Sequence, residues 1–294
     1  MNDVSAYPEE FVADLRRLRP WSDFSASLWR NPDLVRLTYS ALALVVQAAV
    51  GSSRRNILYV GSGVGHIALE LAHQGHNVIG LDMDDELVAL ARRAAKSDPH
   101  RLERGNLSYE VAEFPSGGTT GAPYDAVLFC RVLHHIGDPA AAAAQAAELL
   151  RPSGDVICVD FAYDFFSNAE AYWMAESRIW LSRSDCWPEP VAGTLQEEVE
   201  RVAEEWRGEH EGEGLNTFRM MLEPLQAHFE LAPMLWHPYL YWDLAAEMRC
   251  SAEREGQLAG FLRDDEARKL SGHHLHGVLF STSGRRRMGD VVAC

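Results

Sequence analysis

The feature that most constrains this chain is a glycine-rich turn within residues 56–82, directly after the short apolar run Ile57–Val60. Gly61, Gly63 and Gly65 alternate with larger residues there, and an apolar helical pattern begins after them. A turn of this kind presents free backbone N–H groups at a helix N-terminus, and glycines let a ligand approach bare backbone. The sequence therefore predicts a strand, a turn, a helix and a second strand that together bind a nucleotide-like ligand.

The second apolar run ends on Asp82, where a carboxylate can accept hydrogen bonds from the hydroxyl groups of a ribose. The glycines run G-x-G-x-G, and His66 stands where the dinucleotide fingerprint G-x-G-x-x-G has its third glycine. A glycine turn alone is compatible with any doubly wound α/β protein. The identity of the ligand therefore depends on the patterns that follow.

Those patterns alternate between helix and strand, as expected for a parallel sheet with right-handed crossover connections. After Asp82 the predicted elements are a helix over Asp84–Lys96, a strand over Asn106–Phe114, a strand over Ala126–Cys130, a helix over Ala140–Leu150 and a strand over Asp155–Phe161. The loop between the third and fourth strands is rich in glycine and takes the place of a helix.

Three runs in this part of the chain resemble the class I S-adenosylmethionine (SAM)-dependent methyltransferases, closest to the small-molecule type 11 or ubiquinone-biosynthesis-like branch. They are the glycine turn with Asp82, YDAVLFCRVLHHIGDP from Tyr124, and AAELLRPSGDVICVDF from Ala146. The resemblance covers roughly residues 54–162. It implies an α/β fold with a Rossmann-like, doubly wound, seven-stranded sheet whose last strand is antiparallel, with helices before the core and a helical cap after the fifth strand.

The resemblance also implies how SAM is held. The glycine turn passes under the methionine end, Asp82 holds the ribose, and Glu113 stands where the family usually has an Asp near the adenine amino group. One departure is Tyr59, because the family commonly has an acidic residue two positions before the first glycine. The predicted cofactor-binding residues are Tyr59, Gly61, Ser62, Gly63, Gly65, Asp82, Met83, Glu113, Phe114, Cys130 and Arg131.

Methyl transfer from a sulfonium is an in-line displacement, so the protein mainly aligns the reactants and excludes water. An O–H or C–H acceptor also needs a general base, and the candidates are His134 and Asp164. In the family the His134–His135 pair is largely structural. No metal is predicted, because neighbouring histidines without further ligands do not build a site.

Beyond Phe161 the resemblance fades and the sequence is rich in aromatic residues. We predict a sixth strand over Phe229–Tyr239 and a final strand over His274–Ser283, with a helical insert between them. A helix before the first strand is predicted to place Leu34, Leu37, Ala41, Leu44 and Val45 on one face.

The predicted organisation has an N-terminal helical lid or clasp (1–55), a SAM-binding core (56–162), a helical aromatic substrate cap (163–228) and C-terminal strands of the core with a helical insert (229–294). The residues predicted to line the acceptor pocket are Trp21, Tyr163, Tyr172, Trp173, His237 and Tyr239. The alternative reading of the aromatic segment is a second small hydrophobic core.

Composition narrows the possible partners. The net charge of −16 and the pI of about 5.1 argue against nucleic acid, whose binding proteins usually carry a basic face. The five cysteines form no C-x-x-C pair, which argues against a disulfide framework or a zinc site. The longest apolar run, Ala41–Val50, is interrupted by Gln47 and predicts no membrane span. We expect a cytoplasmic monomer or homodimer.

The function predicted from these residues is a SAM-dependent methyltransferase that acts on a small, aromatic or hydrophobic metabolite, in secondary metabolism. One alternative is a SAM-binding enzyme that catalyses cyclisation or rearrangement without methyl transfer. A second alternative is an NAD-dependent oxidoreductase, which His66 and the two later runs disfavour. A nucleotide-binding protein without catalysis is a more distant alternative.

Overall fold

The structure is a computed structural model that describes residues 28–117, 121–191, 193–210 and 212–287. Trp21, and with it about half of the predicted lid or clasp, lies outside the described residues. The chain divides into two compact units. The sheet unit consists of Leu42–Phe161, Asn216–Leu235 and Phe280–Cys294, and the helical unit consists of Met1–Ala41, Ala162–Leu215 and Trp236–Leu279.

The elements of the sheet unit follow the order predicted from the sequence. They are α1 (Pro32–Val50, which begins in the helical unit), β1 (Asn56–Val60), α2 (His66–His73), β2 (Asn77–Asp82), α3 (Asp85–Ser97), β3 (Leu107–Val111), β4 (Tyr124–Cys130), α4 (Pro139–Leu149), β5 (Leu150–Phe161), α7 (Phe218–His228), β6 (Phe229–Leu231) and β8 (Leu279–Arg286). The helical unit contains α5 (Asn168–Arg183), α6 (Leu195–His210), α8 (Leu240–Glu247) and α9 (Ala252–Ser271), and β7 (Leu235–His237) lies where the chain enters it.

The described part of the chain forms a sheet of eight strands, seven of which follow the order β3-β2-β1-β4-β5-β8-β6. The pairs β2–β3, β1–β2, β1–β4 and β4–β5 are parallel, whereas β6 and β8 are antiparallel. The predicted Rossmann-like sheet with an antiparallel last strand is therefore confirmed. It is built outwards from β1 in both directions, which is the doubly wound arrangement.

Several predicted strands have different bounds in the structure: β3 ends at Val111, and β5 begins at Leu150 instead of Asp155. The predicted sixth strand, Phe229–Tyr239, is divided into β6 and β7, and Pro233 lies between them without a backbone N–H to donate. The predicted last strand begins at His274, but β8 begins at Leu279. Gly277 precedes it with φ of +85°, a left-handed conformation that cannot continue an extended strand.

The central strands are buried on both faces, which explains their continuous apolar sequences. Ile57 and Leu58 of β1 are fully buried, as are Val127 and Phe129 of β4. The register pairs Val60 with Leu81 of β2 and with Phe129 of β4. The carboxyl ends of β1, β2 and β4 therefore meet at one edge of the sheet, the edge at which open α/β sheets bind ligands.

The buried face of α1 differs from the prediction. Leu44, which was expected to share the inner face, is 64% exposed. The main buried row recurs every four residues instead and consists of Leu34, Thr38, Leu42, Val46 and Val50, with Val35 and Ala43 buried beside it. Among the described helices, α1 is long and apolar enough to cross a membrane by length and composition, a test that the core helix of a soluble protein also passes.

Two buried glutamates organise the helical unit. Glu170 completes a capping box with Ser167 at the start of α5 and also accepts hydrogen bonds from the backbone N–H groups of His276 (2.6 Å) and Gly277 (3.2 Å). Glu266 of α9 accepts three backbone N–H groups at the start of α8. Each carboxyl group therefore joins two segments that are far apart in the sequence.

The aromatic residues after β5 pack largely on one another. The rings of Phe166 and Trp206 are stacked with centroids 4.1 Å apart, and the indole of Trp206 donates a hydrogen bond to the carbonyl of Tyr163 (3.0 Å). His210 lies against both Trp206 and Tyr163. This cluster supports the alternative reading of the aromatic segment as a second small core.

Candidate active site

The glycine turn after β1 adopts a backbone that larger residues disfavour. Gly61, Gly63 and Gly65 have φ angles of 68°, 53° and 85°, all in the left-handed region. The N–H of Ser62 donates to the carbonyl of Leu81 at 2.8 Å, so the turn is hydrogen-bonded to the end of β2. Gly65 is the N-cap of α2 and lacks a side-chain cap.

The three glycines are required for different reasons. A Cβ on Gly61 would overlap the side chain of Val132, and a Cβ on Gly65 would overlap the hydroxyl of Tyr109. Both positions are therefore restricted by packing within the protein itself. A Cβ on Gly63 would meet no atom within 4 Å, so the backbone there faces open space. Bare backbone beside open space is what a ligand that passes over the turn requires.

Asp82 at the end of β2 is held by the same turn. One carboxylate oxygen accepts the backbone N–H of Gly63 at 2.7 Å, and the other accepts the N–H of Asp84 at 3.0 Å. Each oxygen keeps a further lone pair for another donor. The side chain is half-buried, which leaves those lone pairs accessible from the sheet edge.

A pocket of about 230 Å³ opens at this edge. The ends of β1 and β2, the segment after β3 and the turn after β4 contribute its walls, through Val60, Gly61, Leu81, Asp82, Met83, Ala112, Glu113, Phe114, Val132, His135, Ile136 and Gly137. Typical sites for drug-sized ligands measure roughly 300–1,000 Å³, so this open pocket has a size suited to the nucleoside part of a larger ligand.

Five of the predicted cofactor residues meet in this pocket: Gly61, Asp82, Met83, Glu113 and Phe114. Met83 is 73% exposed, although it is apolar and lies beside the pocket. Phe114 is buried against Phe129 of β4, with ring centroids 5.8 Å apart. Together they give the pocket apolar walls beside the carboxylates of Asp82 and Glu113.

Other predicted cofactor residues are not among the lining side chains. Tyr59 is 4% exposed in β1 and forms a hydrogen bond with the thiol of Cys130. Burial raises the pKa of Cys130 to about 12, so this thiol stays protonated at neutral pH. Arg131 adopts φ of 55° directly after β4, and Ser62 is buried.

The two histidines after β4 lie in different surroundings. His134 is 6% exposed, and its Nδ1 lies 2.5 Å from the carboxylate of Asp160, which is fully buried in β5. His135 is exposed and lines the pocket. The sequence prediction had named His134 as a candidate base, but the histidine that faces the pocket is His135.

Asp160 did not enter the sequence prediction. The signal that could have found it is an acidic residue in the otherwise apolar run VICVDF, because a carboxylate inside a buried strand needs hydrogen-bond donors. Among the described residues, no group of three or more His, Cys, Asp and Glu side chains is arranged to hold a metal ion.

The predicted acceptor residues that the structure describes belong to the helical unit. Trp173 is 2% exposed, and its indole donates to Asp265 at 2.8 Å, so it is a core residue of that unit. Tyr239 is buried and stacks on Trp242. The remaining positions are partly or largely exposed: Tyr163, Asp164, Tyr172 and His237. Burial lowers the pKa of His237.

This chain has counterparts among known proteins. A family described as the methyltransferase domain matches residues 35–221, which is more than half of the chain. The chain belongs to this methyltransferase family. It is a SAM-dependent methyltransferase, and the cofactor predicted from the sequence is confirmed at the level of the family.

Two relatives of this methyltransferase are named ubiquinone biosynthesis O-methyltransferase. The protein from Cronobacter sakazakii is 33% identical over 179 residues, which cover 57% of this chain and 68% of that protein. The protein from Pectobacterium carotovorum is 34% identical over 149 residues, which cover 48% of this chain and 56% of that protein. The chain thus matches between about half and two thirds of the length of these relatives.

Among solved structures, the PH0226 protein from Pyrococcus horikoshii OT3 has a similar fold. The TM-score is 0.50 and the sequence identity is 15%, and the match covers 86% of this chain and 92% of that one. At this identity the similarity concerns the fold alone. It agrees with the Rossmann-like sheet described above.

The residues of this methyltransferase fit SAM. The bare backbone at Gly63 leaves room for a ligand, and two N–H groups orient the carboxylate of Asp82 at the same edge. Met83 and Phe114 supply apolar surface for a flat base.

Proposed function

We propose that this methyltransferase transfers the methyl group of SAM to a hydroxyl oxygen of a small, aromatic or otherwise hydrophobic metabolite. The observation that carries the proposal is the pocket at the sheet edge, where Asp82 and Glu113 stand beside apolar side chains. The names of the two relatives support oxygen as the acceptor atom. A place in secondary metabolism remains a prediction from the sequence.

Bound SAM supplies a methyl group that the positive sulfonium has already activated. Asp82 would accept hydrogen bonds from the ribose hydroxyls with the lone pairs that Gly63 and Asp84 leave unused. Glu113 would accept a hydrogen bond from the adenine amino group, and Met83 and Phe114 would offer apolar surface to the base. Gly63 leaves space for the amino-acid end.

An oxygen acceptor must lose a proton during the reaction, so a base close to the pocket would assist it. His135 is the exposed imidazole of the pocket wall, and a neutral imidazole nitrogen can accept a proton. Val132 and Ile136 of the same turn add apolar surface beside His135, which limits the access of water to that imidazole. We therefore assign the role of base to His135 in preference to His134.

The proposal is tested with the purified full-length protein, SAM and a panel of catechols and other hydroxylated aromatic compounds. We expect S-adenosylhomocysteine to form together with an acceptor product that is heavier by one CH₂ group. The Asp82→Ala variant should form S-adenosylhomocysteine more slowly than the wild type at the same subsaturating concentration of SAM. The proposal fails if calorimetry detects no binding of SAM, or if an acceptor rearranges while SAM stays intact, which would instead indicate a non-methylating enzyme.

Further expectations about partners accompany the proposal. A small-molecule acceptor is consistent with the family. Location in the cytoplasm, independence from nucleic acid and membranes, and a monomeric or homodimeric state remain predictions. Size-exclusion chromatography with light scattering would measure the oligomeric state directly.

A further inference from the structure

One wall of the pocket is a short turn after β4, Val132–Ile136, which we name the post-β4 turn. Its central residues, Leu133–His135, form a single 3₁₀ turn. Irregular backbone of this kind lacks the partners that a helix or sheet provides, and buried backbone polar groups must find them elsewhere. Two buried side chains, Asp160 and Asn216, supply most of these partners.

Asp160 satisfies the N–H side of the post-β4 turn. Its Oδ2 accepts the backbone N–H groups of Val132 (3.2 Å) and Leu133 (2.7 Å). Its Oδ1 accepts the N–H of Phe161 (2.7 Å) and lies 2.5 Å from Nδ1 of His134. The carboxylate is fully buried, so these four donors replace the water that it gives up.

Asn216 satisfies the carbonyl side of the same turn. Its side-chain amide donates to the carbonyl oxygens of Leu133 (3.0 Å) and Ile136 (2.6 Å). Its backbone N–H donates to the carbonyl of His134 at 2.8 Å. Asn216 is 5% exposed and precedes α7, so a distant segment of the chain fixes the turn.

The two side chains therefore bind different backbone groups of the same turn: Asp160 accepts from N–H groups, and Asn216 donates to carbonyl oxygens. The remaining N–H groups of His135 and Ile136 bond within the turn, to the carbonyls of Val132 (2.9 Å) and Leu133 (3.3 Å). The preceding residue, Arg131, has φ of 55°, a conformation that residues other than glycine rarely adopt. The post-β4 turn is therefore imposed by its surroundings and not by its own sequence.

The position of this turn matters to the pocket in two ways. Val132 packs against Gly61 so closely that a Cβ on that glycine would overlap it, so a shift of the turn also disturbs the glycine turn. His135 and Ile136 line the pocket themselves. A displacement of about 1 Å at such a site can reduce binding or rate by roughly 100-fold.

We propose that Asp160 and Asn216 are positioning residues of the methyltransferase site, and that they hold the post-β4 turn in the place where it forms the cofactor pocket. Neither side chain is among those that line the pocket, so each would affect the ligand only through the turn. The inference rests on the proposed function in so far as the pocket is taken to be the SAM site. It adds two buried residues to the functional set, one on β5 and one before α7.

The test uses the full-length protein with Asp160→Asn and Asn216→Ser. Asp160→Asn keeps the shape but presents an NH₂ group to N–H donors, and Asn216→Ser removes both amide donors to the turn. We expect folded variants whose dissociation constant for S-adenosylhomocysteine, measured by calorimetry, rises roughly 10- to 100-fold. The backbone amides of Val132 and Leu133 should exchange with solvent faster in Asp160→Asn than in the wild type.

Asp155→Asn provides the matched control, because it makes the same change in the same strand at a site that bonds Arg55 instead of the turn. It should bind S-adenosylhomocysteine as the wild type does. Wild-type affinity in folded Asp160→Asn and Asn216→Ser would overturn the proposal, because a purely structural role would lower stability without changing the affinity of the folded protein. If Asp160→Asn does not fold, the affinity of Asn216→Ser decides alone.

Failure of the proposed function gives a different result. A wild-type protein without affinity for SAM or S-adenosylhomocysteine would refute the assignment of the pocket. In that case, unchanged amide exchange of Val132 and Leu133 in Asp160→Asn would also refute the proposal that Asp160 fixes the position of the post-β4 turn. A wild type that binds, with variants that bind equally well, refutes the positioning role alone.

Discussion

The carboxylate of Asp82 accepts a hydrogen bond from the backbone N–H of Gly63 at 2.7 Å. This contact joins the end of β2 to the turn after β1, so the two features that the sequence separates by about twenty residues form one unit. The second carboxylate oxygen is fixed by Asp84. Because the carboxylate is oriented by the protein itself, a ligand that bonds to it need not order it on binding.

Replacement of Asp82 should therefore weaken SAM binding strongly. Asp82→Ala removes the acceptor for the ribose, and hydrogen bonds to charged groups contribute about 1.5–3 kcal/mol each. We expect the affinity for SAM, measured by calorimetry, to fall roughly 10- to 100-fold. Asp85→Ala, which removes an exposed carboxylate in the first turn of α3, is the control and should bind normally. Unchanged affinity of Asp82→Ala would contradict the site.

The glycines of the turn predict a contrast between two variants. Gly65→Ala should lower the free energy of unfolding by about 2–4 kcal/mol, because the new methyl overlaps Tyr109 and the backbone is left-handed. Gly63→Ala faces open space and should cost only about 1–2 kcal/mol of backbone strain.

The affinity for SAM should rank the same two variants in the opposite order, with the larger loss in Gly63→Ala. The methyl of Gly63→Ala enters the space that the ligand uses, so its affinity for SAM should fall about tenfold or more, and Gly63→Val should fall further. Urea unfolding measures the first quantity and calorimetry the second. A Gly63→Val protein that binds SAM normally would show that the ligand does not pass over this turn.

The histidine pair after β4 gives the next prediction. His134→Ala leaves the buried carboxylate of Asp160 without its imidazole partner and should destabilise the protein by about 2–4 kcal/mol. His135→Ala changes an exposed side chain and should alter stability by less than about 0.5 kcal/mol. It should instead slow the formation of S-adenosylhomocysteine. Equal rates for His135→Ala and the wild type would remove His135 as the base.

The sequence was sufficient to predict those parts of the fold that depend on residues close together in the chain. Apolar runs bounded by turn residues located β1, β2, β4 and β5, because strands buried on both faces must be continuously apolar. The glycine spacing and Asp82 indicated the position of the pocket, because both lie at strand ends that the parallel topology brings together.

Long-range contacts set the limit of that prediction. Asn216 lies 80 residues from its partner Ile136, and no pattern in the sequence links them. The prediction of the buried face of α1 was wrong, as the exposure of Leu44 shows. An apolar pattern alone does not show which side of a helix packs against the rest of the protein. His134 was one of two candidate bases, and the sequence does not show that His134 is buried beside Asp160 whereas His135 lines the pocket.

The raised pKa of Glu266 predicts that the stability of the protein depends on pH. Burial, which three N–H groups from Tyr239, Leu240 and Tyr241 oppose, raises the pKa of Glu266 from 4.5 to about 8. Because the folded state binds this proton more tightly than the unfolded state, the stabilising contribution is complete below about pH 4.5 and is lost as the pH rises to about 8. Relative to Glu266→Gln, the wild type should lose up to about 1.4 kcal/mol per pH unit in this interval. Urea unfolding of both proteins between pH 5 and pH 9 measures the difference. A wild type that gains stability over Glu266→Gln as the pH rises would show that the three N–H donors outweigh burial.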